Sequence, residues 1–294
     1  MTTLSDAPAT PVPFDAALRR LRRDRAARTP GGAENPIMHR IGQDLLERLD
    51  LVTRRFERAL DLGCGFGALT ETLRGRGMEV TPLDAGAVFA GQAAGVQSDE
   101  DRLPFPAESF DLVVSAGVLD SVNDLPGALV QVRRLLRPDG LFLAAFVGAG
   151  SLPRLKRAMQ AADETESQGA SPHVHPQIDV RTAGDLLGRA GFALPVADAD
   201  SLTVRYHHLF QLVADLRALG WTNMLNARVR HPFGRAGAAA AAAAFAEGAD
   251  SDSRVPETLQ IIHLSGWAPS PDQPQPARRG SATASLTEIL KPKG

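Results

Sequence analysis

The sequence lacks the features that would direct a protein into an oxidising compartment or across a membrane. Cys64 is the single cysteine, which excludes an intramolecular disulfide and suits a reducing compartment. No apolar run approaches the roughly 20 residues that a membrane-spanning helix needs. The first residues, MTTLSDAPATPVPF, lack the apolar core of a secretory signal. We therefore expect a cytoplasmic protein.

An excess of charge of either sign is also missing. The 32 basic and 34 acidic residues give a formal net charge of −2, which argues against nucleic-acid binding by the chain as a whole. Hydrophobic residues make up 44% of the sequence and charged residues 22%, as is usual for a globular protein. A chain of 294 residues can bury a sizeable core in one large domain or two small ones.

From residue 58 onward the chain alternates between strand-like and helix-like segments. Apolar runs such as RALDL, FDLVVSAGVL and LFLAAFVG predict buried strands, and GALTETLRGRG and LPGALVQVRRLL predict the helices between them. This alternation predicts an α/β fold in which a parallel, doubly wound sheet has helices on both faces. We expect the ligand site beyond the carboxyl ends of the strands.

A glycine-rich turn, within ALDLGCGFGALTETL, follows the first of these strands. It contains Gly63, Cys64, Gly65 and Gly67. The spacing also fits the looser dinucleotide fingerprint, but Asp61 favours S-adenosylmethionine. A carboxylate there would repel a pyrophosphate, whereas it can accept hydrogen bonds from the ammonium group of S-adenosylmethionine. We expect all four turn residues to contact the cofactor, with Cys64 as a small apolar filler rather than a nucleophile.

Acidic residues after the second strand provide further cofactor contacts. Asp84 ends that strand, 21 positions after Gly63, where a carboxylate can bind both ribose hydroxyls of either NAD or S-adenosylmethionine. The run SDEDRLPF adds Asp99, Glu100 and Asp101. Ser115, at the end of the strand FDLVVSA, completes the set of expected cofactor contacts.

Two stretches carry a family resemblance. SDEDRLPFPAESFDLVV and RRLLRPDGLFLAAF resemble the class I S-adenosylmethionine-dependent methyltransferases, in the subgroup of the biotin-pathway malonyl-carrier methyltransferase. In that subgroup the first acidic residue contacts the adenine amino group, which implies this role for Asp99, with Glu100 and Asp101 as close competitors. The resemblance covers about residues 45 to 148. It implies a seven-stranded, mostly parallel sheet with an antiparallel addition at its end.

A second resemblance extends over about residues 14 to 290. FDAALRRLRRDRAAR, SPHVHP, DLLGRAGF, LVADLRALG and above all ARRGSATASL look like the complex I assembly factor family of mitochondria and alphaproteobacteria. It implies a protein that binds or modifies a subunit of NADH:ubiquinone oxidoreductase, in the mitochondrial matrix if the source is eukaryotic. The activity attributed to the mitochondrial member is hydroxylation of an arginine, with S-adenosylmethionine bound. The Arg-Gly-Ser-Ala-Thr segment fits an extended tail laid across a groove.

This sequence departs from the family after the strand at 110–115. The family usually shows Leu-His-Trp-Val-x-Asp, and residues 119–124 here read LDSVND. The missing tryptophan would shield a sulfonium cation, and the missing histidine could act as a base. Asp120 could act as a base or orient a guanidinium group instead. The alternative is that Asp120 only caps the next helix.

Four functions remain open on the sequence. The first is S-adenosylmethionine-dependent methylation of a protein, the second is arginine hydroxylation, and the third is a non-catalytic assembly role. The fourth is methylation of a small acyl or quinone-like molecule. Methyl transfer depends mainly on positioning, so the lack of an obvious catalytic triad does not argue against an enzyme. His173 and His175 could form a metal pair, but they lack a third ligand at a known spacing, and we predict no metal.

The N-terminal segment FDAALRRLRRDRAAR predicts a helix with many arginines. Phe14, Leu18, Leu21 and Arg25 fall near one face, and we expect a solvated helix that packs its leucines on the domain. The alternative is a basic arm for an acidic partner or for peripheral contact with the inner membrane.

The expected organisation is a disordered start (1–13), N-terminal helices (14–48), a cofactor-binding core (49–204), a helical insertion roofing the substrate site (205–257), a last core strand (258–268) and a tail (269–294).

Overall fold

A single sheet of seven strands forms the centre of the computed structural model, which describes residues 12–166, 169, 171–271 and 273. The predicted disorder at residues 1–11 and the Arg-Gly-Ser-Ala-Thr segment lie outside the described residues. The strands are β1 (Arg58–Leu62), β2 (Glu79–Asp84), β3 (Val96–Gln97), β4 (Phe110–Ala116), β5 (Leu136–Val147), β6 (Ala193–Tyr206) and β7 (Val255–Trp267).

The strand order confirms the predicted fold class. The strands are arranged β3-β2-β1-β4-β5-β7-β6, and every pair from β3 to β5 is parallel. β7 pairs antiparallel with both β5 and β6, which is the expected antiparallel addition. The direction of winding reverses between β1 and β4, and in open α/β sheets ligands bind at this switch point.

Helices cover both faces of the sheet. They are α1 (Ala16–Ala26), α2 (Pro36–Asp50), α3 (Ala68–Gly75), α4 (Ala87–Gln92), α5 (Leu125–Leu135), α6 (Pro153–Glu166), α7 (Val180–Arg189), α8 (Leu209–Ala218) and α9 (Arg235–Ala246). β4 shows how the two cores arise, since Leu112 and Val114 face one apolar cluster and Val113 faces the other. All seven β4 residues are buried, as expected for a central parallel strand.

The insertion at 205–257 belongs to the main core. Leu212 and Leu216 of α8 and Phe245 of α9 are buried in the same apolar cluster as Leu112 of β4. The alanine run of α9 allows the helix to lie close against α6. None of the helices in the described ranges is long and apolar enough to span a membrane.

The N-terminal helix differs in part from its predicted packing: Leu18 packs against the apolar cluster of Phe14, Met224 and Leu225, as expected, but Leu21 does not. α1 buries Arg19, Arg23 and Ala26, while Leu21 is 45% exposed. Phe14 is buried, but it precedes the helix and forms a β-bridge with Leu225. The arginines turn inward because buried carboxylates on the sheet face them, and opposite charges compensate each other away from water.

The burial of Phe245 yields a stability prediction. Phe245→Ala should lower the free energy of unfolding by about 3–5 kcal/mol, because it removes a fully buried ring and leaves a cavity. Phe210, which is 60% exposed, gives a matched control, and Phe210→Ala should change the free energy of unfolding by less than about 0.5 kcal/mol. Urea denaturation of both variants measures the difference. Equal effects would contradict the placement of α9 in the main core.

Candidate functional site

The turn between β1 and α3 has a backbone that requires glycine. Gly63, Gly65 and Gly67 have φ values of +82°, +52° and +79°, in the left-handed region. The amide groups of Gly63 and Cys64 both donate to the carbonyl of Leu83 on β2, at 2.8 and 2.9 Å. A Cβ atom at Gly63 would lie 2.7 Å from Cγ1 of Val118. The turn is therefore held open toward the carboxyl ends of the strands.

A cavity of about 260 Å³ lies above this turn, and we call it the first cavity. Its floor is the glycine turn together with Ala116 and Gly117 at the end of β4. Its walls are mainly apolar and include Met38, Leu46, Phe66, Phe89 and Trp221. The first cavity thus lies at the switch point between β1 and β4, where the sequence places the ligand.

Asp61 is the carboxylate among the described residues that line the first cavity. It is 1% exposed and accepts a hydrogen bond of 2.6 Å from the hydroxyl of Thr70. Burial raises the pKa of Asp61 to about 6, and the negative charge of Asp84 adds to the shift. A cationic group in the cavity would favour the ionised form of this carboxylate. The neighbouring Cys64 thiol also lines the cavity, and burial raises its pKa well above its usual value, so it remains protonated.

Asp84, at the end of β2, is completely buried and fully hydrogen-bonded. Its Oδ1 accepts from the amide of Gly86 at 2.8 Å and from Nε of Arg23 at 2.6 Å. Its Oδ2 accepts from the amide of Gly65 at 3.0 Å and from Nη2 of Arg23. Burial alone would raise the pKa of Asp84, but the Arg23 guanidinium outweighs it and lowers the pKa.

The acidic run that follows β3 also faces α1. Nη1 of Arg19 donates to Oε2 of Glu100 at 2.6 Å, and Nε of Arg20 donates to Asp99 at 3.0 Å. Glu100 is completely buried, and its second oxygen, Oε1, has no hydrogen-bond partner within the described ranges. Asp101 is partly exposed, and its backbone carbonyl accepts from the side chain of Gln131 at 2.5 Å.

Ser115, the last of the expected cofactor contacts, makes a hydrogen bond within the sheet. It is completely buried, and its hydroxyl donates to the carbonyl of Leu62 at 2.8 Å. This bond joins β4 to β1, and Ser115 is not among the residues that line the first cavity. Because side chains alternate along a strand, Ser115 lies on the same face as Val113, whereas Ala116 lies on the opposite face and lines the cavity.

A second cavity of about 180 Å³ holds Asp120. Oδ1 of Asp120 is buried and has no partner in the described part of the chain, and Oδ2 lies 3.9 Å from Nδ1 of His175. Nε2 of His175 is 3.3 Å from the amide of Met224, which fits an acceptor role for that nitrogen. Asp120 does not cap α5, because Asp124 caps it by accepting from the amide of Gly127 at 2.8 Å.

Trp221 is the site residue that the sequence analysis missed. It follows α8 in the insertion, lines both cavities, and donates its indole N–H to the carbonyl of Gly117 at 2.9 Å. A Cβ atom at Gly117 would lie 2.8 Å from Cζ2 of this indole. Trp221 thus brings an aromatic side chain to the end of β4 from a position a hundred residues after Ser121. The one available signal is the aromatic residue that ends the amphipathic segment HHLFQLVADLRALGW.

The two histidines of SPHVHP have separate environments. Nε2 of His173 lies 2.9 and 3.0 Å from the two carboxylate oxygens of Asp163 on α6. The ring of His175 packs edge-on against Phe14, with 5.1 Å between the ring centroids. Among the residues that the structure describes, no three histidine, cysteine, aspartate or glutamate side chains come together as a metal-binding group.

Known proteins resemble this chain along nearly its whole length. Residues 60–144 match the methyltransferase domain family. The human arginine-hydroxylase NDUFAF5 is 36% identical over 297 residues, which cover 98% of this chain and 86% of that protein. The malonyl-[acyl-carrier protein] O-methyltransferase of Xylella fastidiosa is 33% identical over 247 residues, which cover 80% of this chain and 82% of that protein.

A solved structure agrees with the fold. The YcgJ protein of Bacillus subtilis covers 78% of this chain and 99% of its own, with a TM-score of 0.55 and 17% sequence identity. At that identity the likeness supports the fold alone. The near-complete coverage of the arginine-hydroxylase relatives supports a closer relationship. The chain therefore belongs to the class I S-adenosylmethionine-dependent methyltransferase superfamily and, within it, to the family of the arginine-hydroxylase NDUFAF5.

Proposed function

We propose that this chain binds S-adenosylmethionine in the first cavity and modifies an arginine side chain of a protein that enters the second cavity. The observation that carries the proposal is that Asp120 lines the second cavity while its buried Oδ1 has no partner in the described residues. The arginine-hydroxylase relatives support arginine as the substrate side chain. The family resemblance supports a subunit of NADH:ubiquinone oxidoreductase as the protein that carries it.

The first cavity fits the amino-acid half of the cofactor. Asp61 is positioned to accept hydrogen bonds from the ammonium group, and the glycine turn, which lacks side chains at Gly63 and Gly65, leaves room for the ligand backbone. Asp84 is the carboxylate for the ribose hydroxyls, and Asp99 is the one for the adenine amino group, with Glu100 and Asp101 beside it. When bound, S-adenosylmethionine supplies an activated methyl group.

The second cavity fits a long cationic side chain. Its walls include apolar residues such as Leu155, Met159 and Val213, which suit the aliphatic part of an arginine. Asp120 lies among them and can bind a guanidinium through two hydrogen bonds. The insertion at 205–257 contributes Val213 and Trp221 to this cavity, so we propose that it roofs the substrate site.

Methyl transfer is the reaction that this arrangement supports most directly. A guanidinium nitrogen of the substrate would form a bond to the methyl carbon while the bond from that carbon to sulfur breaks. The nitrogen would then give up one proton, and Asp120 is the buried acceptor for it. Positioning by Asp120 and Trp221 would provide most of the acceleration.

Hydroxylation of the same arginine is the second candidate, and the arginine-hydroxylase relatives favour it. This reaction replaces a C–H bond by C–OH and consumes dioxygen, two electrons and two protons, with water as the other product. It therefore requires an electron donor as a co-reactant, which methyl transfer does not. The two reactions differ in the mass that they add to the substrate.

The mass of the substrate subunit provides the first test. Complex I subunits from cells with the gene should carry one arginine that is heavier by about 14 Da for methylation or about 16 Da for hydroxylation than in cells without it. Asp120→Asn should abolish this modification of the arginine, whereas Asp185→Asn, on the exposed surface of α7, should preserve it. If the mass is unchanged and assembly still fails without the gene, the protein is a non-catalytic factor.

Cofactor binding in the first cavity should be visible in tryptophan fluorescence. The chain has two tryptophans, and only Trp221 lines the first cavity, since Trp267 pairs with Leu141 in the middle of β5. Adding S-adenosylhomocysteine should change the emission of the wild type and of Trp267→Phe, but not that of Trp221→Phe. Calorimetry should confirm that all three bind. A signal retained in Trp221→Phe would place the ligand elsewhere.

The raised pKa of Asp61 predicts that cofactor affinity depends on pH. The ionised carboxylate is required to accept the ammonium group, so affinity should be full above pH 7 and fall as the pH drops through about 6. At pH 5 binding of S-adenosylhomocysteine should be about tenfold weaker, because about a tenth of Asp61 is then ionised. Calorimetry at both pH values measures this change.

Two variants identify the titrating group. Asp61→Asn should remove the pH dependence, whereas His39→Gln should retain it, although His39 also lines the cavity. A wild-type affinity that is the same at pH 5 and pH 7.5 would contradict the role given to Asp61.

A further inference from the structure

Helix α1 meets the proposed adenosine site with a row of arginines. Arg19, Arg20 and Arg23 lie on the side of the helix that faces the sheet, because residues three and four apart share one side. Each of them pairs with one carboxylate that the cofactor assignment requires. The pairs are Arg19–Glu100, Arg20–Asp99 and Arg23–Asp84.

The pair of Arg23 and Asp84 leaves no free hydrogen-bond acceptor on Asp84 for a ribose. Each oxygen of Asp84 already accepts one backbone amide and one guanidinium nitrogen. A carboxylate that binds the two hydroxyls of a ribose needs one free acceptor position on each oxygen. Arg23 also lies over the ring of Phe89, with its guanidinium carbon 5.1 Å from the ring centroid. The guanidinium must therefore move before a ribose can bind.

Arg19 likewise occupies a carboxylate that the cofactor assignment uses, that of Glu100. Its Nε lies 3.1 Å from the hydroxyl of Ser121, and its Nη1 donates to Glu100. Its side chain is 5% exposed, although arginine is rarely buried unless it is paired. Oε1 of Glu100 has no hydrogen-bond partner among the residues that the structure describes, so a ligand can still use this acceptor.

The start of α1 is fixed beside the second cavity. The amide of Phe14 donates to the side chain of Asn123 at 2.9 Å, and that side chain donates back to the carbonyl of Phe14 at 3.1 Å. The amide of Asp15 donates to the carbonyl of Met224 at 2.9 Å. These contacts hold the first turn to the core without involving a cofactor carboxylate. Movement of the arginines therefore does not require the helix to leave the protein.

We propose that α1 competes with the cofactor: its arginines hold the adenosine-binding carboxylates in the free protein, and the adenosine displaces them when it binds. The inference rests on the proposed function, because it requires that Asp84 binds the ribose. A buried carboxylate without a partner is strongly destabilising, so the free protein needs a cation at Asp84. Arg23 meets that need and in return lowers the affinity for the cofactor.

Calorimetry with S-adenosylhomocysteine tests the competition. Arg23→Gln should bind about tenfold more tightly than the wild type, because the competing charge-assisted hydrogen bonds are lost. Arg23→Lys keeps the charge but not the two-pronged geometry, so its affinity should fall in between. Arg25→Gln, an exposed arginine of the same helix, is the matched control and should bind like the wild type.

Thermal unfolding separates competition from a purely structural role. Without ligand, Arg23→Gln should have a lower Tm than the wild type, because Asp84 is left buried and unpaired. Lower stability together with tighter binding is the signature of a competitor. Lower stability with equal or weaker binding would overturn the inference, since it would show that Arg23 only supports the site.

Hydrogen exchange of the wild type provides a test without any variant. Saturating S-adenosylhomocysteine should slow exchange in the glycine turn and speed exchange in α1 after its first turn. Protection of α1 that stays the same or increases would overturn the inference while leaving the proposed function intact. If neither the wild type nor Arg23→Gln binds S-adenosylhomocysteine, the proposed function fails, and the inference fails with it.

Discussion

The buried pair of Arg23 and Asp84 is the contact on which the arrangement of the site depends. Through one carboxylate it joins three parts of the chain that are remote in sequence: the N-terminal helix, the end of β2 and, through the amide of Gly65, the glycine turn. A charge this deeply buried is tolerable only when its partners are well placed. The requirement for a partner at Asp84 therefore fixes where α1 lies on the domain.

The same requirement explains the electrostatics of the first cavity. Asp61 and Asp84 are both buried near the turn, and the charge of Asp84 contributes to the raised pKa of Asp61. A cation near either group relieves the repulsion. Arg23 supplies that cation at Asp84 in the free protein, and an ammonium group in the cavity would supply one at Asp61. The two buried carboxylates thus favour a cationic ligand at this site, even though the whole chain is close to neutral.

Trp221 gives the site its division into two chambers. Its indole is held by the carbonyl of Gly117 and lines both cavities, with the glycine turn on one side and Asp120 on the other. The residue comes from a segment that a minimal sheet of this class does not need. The insertion therefore adds a wall of the second cavity, while the strands that hold the glycine turn keep the arrangement of the sheet.

The sequence by itself determined the parallel sheet, the glycine turn and the positions of Asp61 and Asp84, because each depends on a local pattern of alternation or spacing. The tertiary structure decided the rest. It turned the arginines of α1 inward, joined Ser115 of β4 to β1 by a hydrogen bond and brought Trp221 beside Gly117. These outcomes depend on contacts between residues about 50 to 100 positions apart, and helix periodicity alone cannot anticipate a buried arginine when its partner carboxylate lies on a distant strand.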